Sequence, residues 1–167
     1  MGILVGLLLV PVVAVVYVRS GSFPVATAAQ AFPFEKTAAH MALAARISRE
    51  APTTAAVPAT PDNMAEGARL YREQCAVCHG LRGGIPTAIA RGMYPPPPEL
   101  FKGKGVSDDP PGETYWKIAN GIRLTGMPGF GKSLNENQMW QISQLLANSQ
   151  QLTPAVNAQV MADASAK

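Results

Sequence analysis

Two cysteines and a histidine fall within five consecutive residues, Cys75-Ala76-Val77-Cys78-His79, and these are the only cysteines in the chain. Thiols one helical turn apart can each add to a vinyl group of haem, and a histidine next to the second thiol then faces the iron, which makes this spacing a covalent haem attachment signature. Two other chemistries use cysteine pairs. A dithiol redox site calls for a strand-helix-strand setting, and nothing in the flanking sequence suggests one. Structural zinc wants four ligands, whereas the chain offers the two cysteines, His79 and a distant His40. A disulfide across so short a loop would constrain little. The motif therefore points to one covalent haem c and its iron, with His79 as one axial ligand.

Met127 is the candidate for the other axial position. It lies in Gly126-Met127-Pro128-Gly129-Phe130-Gly131, a stretch with little helix or strand potential and therefore free to lay a thioether against the iron. Thioether paired with imidazole raises the reduction potential and leaves no open coordination site. Met93, in Arg91-Gly92-Met93-Tyr94, and His40 are the competing candidates. Met64, Met139 and Met41 stand at helical spacing and read as core filling. Haem propionates call for nearby donors. Arg91 and Trp116 are the leading candidates, with Arg82, Tyr94, Asn120 and Arg123 behind them. Leu100, Phe101, Ile118, Ile122, Leu124 and Phe130 are expected to form the apolar shell around the ring.

The elements that must position these residues are helical. Thr60-Pro61-Asp62-Asn63 supplies cap-type residues before a helix over Met64 to Cys75. Ser133-Leu134-Asn135-Glu136 resembles a capping box ahead of a closing helix that carries Met139, Trp140, Ile142, Leu145 and Leu146. A short helix is expected within Ser107 to Asn120, and almost nothing alternates like a strand. Upstream, Gly2 to Val18 is a nearly unbroken apolar run closed by Arg19. Roughly 17 residues at about 1.5 Å each reach about 26 Å, the short end of a bilayer span. Residues 1–19 are accordingly expected to be a transmembrane anchor or a signal peptide. Residues 20–62 are expected to be a linker containing a short amphipathic helix over 34–50 and a semi-rigid spacer from Ala51 to Asp62. Residues 63–152 form the globular domain, and 153–167 a flexible tail. A formal net charge of +3, with charged residues at 15%, is too weak and scattered for a nucleic-acid partner.

Gly67, Tyr71, Cys75-x-x-Cys78-His79-Gly80, Trp116, Gly126-Met127-Pro128 and a closing helix with Trp140 together resemble a class I cytochrome c, over roughly Asn63 to Asn148. The resemblance implies an all-α fold wrapped around one covalent haem, with Gly67 and Tyr71 meeting the face of Trp140, Ile142 and Leu145 where first and last helices cross. Tyr94-Pro95-Pro96-Pro97-Pro98-Glu99-Leu100 also resembles bacterial members, and its prolines would wall the porphyrin or dock a partner. The expected function is electron transfer by a membrane-tethered, single-haem protein exchanging electrons with redox partner proteins of an electron-transport chain. It would sit on the periplasmic side of a bacterial inner membrane. The alternatives are a fixed haem subunit of a membrane respiratory or photosynthetic complex and, from another class, a haem enzyme or gas sensor.

Overall fold

The structure is a computed structural model that describes residues 2–102 and 109–161, the first four by backbone alone. It divides into two compact units, Met1–Ala38 and Ala39–Lys167. In the first, α1 (Gly2–Arg19) contains Pro11, and its side chains from Leu7 to Val18 are largely exposed. After it the chain turns through Gly21 (φ 76°), and Tyr17 meets Phe23 and Phe32 edge-on at 6.3 and 6.0 Å. The eighteen residues of α1 rise about 27 Å against ~30 Å of bilayer hydrocarbon. Among the described residues no helix is long and apolar enough to cross a membrane, so the structure does not support the expected transmembrane helix over residues 1–19.

The second unit begins within α2 (Glu35–Glu50). Ile47 is its buried residue, while Met41, expected in the core, is 67% exposed. Residues 51–60 are not the free spacer that their composition suggests. Val57 is buried and its carbonyl accepts from Gln144 Nε2 at 2.6 Å. Pro58 O accepts from Asn63 Nδ2 at 3.0 Å, and the carbonyl of Pro52 lies against the Cα of Gly112. Proline holds the backbone extended and has no N–H to satisfy, so such a segment can lie on a helical surface and offer carbonyls to it.

The core is built on α3 (Pro61–Gln74) and α7 (Glu136–Ala147). Thr60 caps α3 by accepting from Asn63 N, with Pro61 in the first turn. The capping box of α7 pairs Asn135 with Gln138, two residues later than Ser133 would have placed it, because the Ser133 hydroxyl turns back to Phe130 O. Met64, Ala68, Leu70 and Tyr71 of α3 share one apolar cluster with Met139, Ile142, Leu145 and Leu146 of α7. Their crossing depends on Gly67, where any Cβ would overlap Gln141 O and lie 2.7 Å from Gln141 C. α6 (Pro111–Asn120) adds Ile118 to the cluster and stacks Tyr115 on Trp140, centroids 4.4 Å apart and planes at 18°.

The expected flexible tail is in part a helix, α8 (Pro154–Val160), capped by Thr153. Its Val156 and Val160 stand one turn apart and are 3% and 0% exposed. Arg72 Nη1 donates to Gln159 O at 3.0 Å and Met161 O at 3.3 Å, a cation placed at the carbonyl end of that helix. Arg82 N donates to Val160 O at 2.8 Å, and Arg82 and Met161 form a β-bridge. No strand forms among the described residues. Ser107 and Asp108 of the expected mid-chain helix, and residues 162–167 of the tail, lie outside the described residues.

Candidate haem site

Cys75 ends α3 and begins the single turn α4 (Ala76–His79). Cys78 N and His79 N both donate to Cys75 O, at 3.1 and 2.9 Å, so the two thiols stand one turn apart. Burial, and then the neighbouring Cys78, push the Cys75 thiol up to about 12. A dithiol redox site needs the opposite shift. Among the described residues no three His, Cys, Asp or Glu side chains gather as metal ligands, which leaves the motif short of a zinc donor set.

His79 is oriented by a contact that sequence reasoning missed. Its Nδ1 lies 2.8 Å from Pro98 O. A carbonyl only accepts, so Nδ1 carries the proton and Nε2 keeps a free lone pair. Burial holds the histidine below its ordinary pKa, with the Pro98 bond opposing. The ring is therefore neutral near pH 7 and ready to coordinate. Just beyond it, Gly80 (φ 72°) is held by Tyr71, whose hydroxyl donates to Gly80 O at 2.7 Å. The proline run reads from sequence as a wall beside the porphyrin or a docking segment for a partner. Its exposed carbonyls were the available signal of an acceptor, but which one meets the imidazole is decided by tertiary structure.

The other candidate ligand sits in a loop fixed by main chain. α6 closes at Gly121 (φ 68°), where a Cβ would lie 2.5 Å from Gly129 N. Ile122 N donates to Met127 O at 3.2 Å, Phe130 N to Ile118 O at 2.8 Å and Gly131 N to Ala119 O at 3.1 Å. Met127 N donates to Thr125 Oγ1 at 3.1 Å. Met127 is half-buried. Met93, which caps the end of α5 (Ala88–Gly92), places its methyl group on Gly126, the residue before Met127. His40 lies exposed on α2.

The remaining candidates are placed differently. Arg91 Nη1 donates to Pro86 O at 2.6 Å, and its other donors meet no acceptor among the described residues. Trp116 has one donor, and it serves Glu50 Oε2 at 3.1 Å, so the indole N–H faces α2. Arg82 donates to Ser149 O and lies 5.2 Å from the centre of the Phe101 ring. Tyr94 is partly exposed at 39%. Asn120 donates to Trp116 O at 2.9 Å, and Arg123 is exposed. Leu100 and Ile118 are buried in the apolar cluster, with Phe101 and Phe130 packed against it. Leu124 does not join them, being 91% exposed at φ 62°. Thr114 Oγ1 and Trp140 Nε1, like Arg82 Nε and Ser149 Oγ, are buried without a hydrogen-bond partner among the described residues.

The residues present fit haem: paired thiols on one turn, an imidazole nitrogen left free by its own second bond, and a thioether in a pinned loop. Residues 62–146, half of the chain, match the model of the family described as cytochrome c oxidase, cbb3-type, subunit III. No curated protein matches. The matched span contains the attachment motif, Pro98, Met127 and nearly all of α7, and covalent haem c with its iron is this chain's cofactor.

Proposed function

Because the chain belongs to the cbb3-type cytochrome c oxidase subunit III family, we propose that it transfers electrons through one haem whose iron is ligated by His79 and Met127. The observation that carries this reading is the bond between His79 Nδ1 and Pro98 O, which fixes the tautomer and turns Nε2 into a ligand. When bound, haem c supplies one-electron chemistry between the ferric and ferrous states. Cys75 and Cys78 tie the ring to α4. Met127 is the best-suited partner to His79, since its loop is held to α6 by main-chain bonds on both sides of it. With His79 and Met127 both holding the iron no substrate site would remain, and the only other histidine, His40, stands on the exposed part of α2. Electron transfer rather than catalysis follows.

The family's description supports a second reading, a fixed haem subunit of a membrane oxidase complex, to which the exposed Met41 face of α2 would bind. In either case the protein would sit at a bacterial inner membrane, with the haem domain on the periplasmic side. Cell fractionation checks this: the protein should sediment with the membranes, and recovery in the soluble fraction would refute it. A second haem subunit that co-purifies in mild detergent would favour the fixed over the diffusing form.

Ligation is tested on the purified holoprotein. The weak far-red ferric band of thioether-to-iron coordination is expected in the wild type and lost in Met127→Ala, whose ferrous form should also gain carbon monoxide binding. A band that survives the substitution, or is absent from the wild type, would overturn the assignment.

A further inference from the structure

Met93 lies five residues before Pro98 on the segment that orients His79, yet its side chain reaches to the loop that carries Met127. A Cβ built on Gly126 would overlap Met93 Cε and come within 3.5 Å of its Sδ and 3.8 Å of its Cγ. The thioether therefore rests on the bare backbone of Gly126. Met93 N also bonds to Ala90 O at 3.3 Å, which anchors the base of this side chain to the end of α5. No hydrogen bond in the described residues links the 93–98 segment directly to the 122–131 loop, so the contact of Met93 with Gly126 joins the two by apolar packing.

We propose that Met93 is a positioning residue for the axial methionine: it clasps the Met127 loop to the His79-orienting segment and slows the loop's release from the iron. The inference rests on the His79/Met127 ligation proposed above. Methionine suits the task, because an unbranched, polarizable side chain can follow a bare backbone surface that a branched one could not. Glycine at 126 is the complementary choice, since a side chain there would occupy the same space as the Met93 methyl group.

Cyanide binding to the ferric holoprotein reads the opening of the Met127 loop directly, because cyanide takes the position that Met127 vacates. Met93→Ala should bind cyanide about tenfold faster, equivalent to ~1.4 kcal/mol, and weaken the far-red ferric band. Gly126→Ala should do the same, because its new methyl group displaces the end of Met93. In the double variant that methyl group fills the space Met93 has left, so the rate should fall back toward wild type. Val156→Ala, which opens a gap where α8 packs on α3, serves as the control: it should lower the melting temperature without changing the cyanide rate.

A wild-type band with both single variants unchanged in cyanide rate would overturn the clasp and leave the ligation standing. Effects that simply add in the double variant, or a Val156→Ala rate that rises with the others, would also overturn it by showing general loosening. A wild-type protein without the band would remove the ligation and the clasp together.

Discussion

The two axial candidates are held in opposite ways. His79 ends a helical turn, stands between two attachment cysteines and a glycine pinned by Tyr71, and has its ring set by Pro98. Met127 has no such set of side-chain restraints. Its loop is tied to the end of α6 by main-chain bonds, one threonine hydroxyl and the contact at Gly126. The histidine side is thus part of the same folding unit as the helix crossing, while the methionine side is an attached loop that can open locally without unfolding the rest. Under the ligation proposed above, permanent attachment on one face and a replaceable ligand on the other would follow from that difference.

Three substitutions or conditions would break or sharpen the contrast. The largest effect is expected from Gly67→Val, which drives a side chain into the Gln141 backbone. It should cost about 3 kcal/mol by overpacking the crossing and damage both sides at once, seen as a large fall in the holoprotein's melting temperature. A melting point left intact would mean that α3 and α7 can separate freely. Gly121→Val comes next. It combines a positive φ with a 2.5 Å approach to Gly129 N and should strain the methionine loop by ~2 kcal/mol. The far-red band should disappear while the haem remains covalently attached and His79-bound. Loss of both ligands together would show that the two sides are not independent.

The smallest effect concerns neither ligand. Glu50 is held below its ordinary pKa of 4.5, first by its bond from Arg46 and then by that from Trp116. A depressed carboxylate contributes stability that is present above its unfolded pKa and lost as pH falls through the lower folded value. Acidification below about 4.5 should therefore release the Trp116 indole, seen as a shift of its N–H resonance, with the far-red band unchanged. A band that titrates together with the indole would couple α2 to the methionine side.

Much of this was legible in the residues themselves. The thiol-histidine spacing, the glycine at the helix crossing, the threonine-proline cap of α3 and the glycine-flanked Met127 each constrain the backbone locally, so sequence carries them. Pro98 was readable only as part of a stiff run, because an acceptor carbonyl exists at every residue and only the tertiary fold selects one. The same holds for residues 51–60, whose prolines signalled extension correctly but could not show that Val57 and Pro52 lie against the domain. Residues 154–160 looked too small and polar to pack, yet two valines one turn apart were enough once α3 offered a surface. Trp116 had the right chemistry for a propionate, and its single donor was taken by Glu50, a pairing set across 66 positions of chain.

The crossing at Gly67 and Gln141 also orders events during assembly. The attachment motif directly follows α3, while α6, α7 and α8, which complete the core, are synthesised later. Joining α3 to α7 requires closing a long loop, a penalty that grows only slowly with length but must be met before the contact gives any return. Until then the two thiols stand on a short open stem at the end of α3. Closure of the last helices comes afterwards. The order of the segments thus lets the ring be joined before the protein is sealed around it.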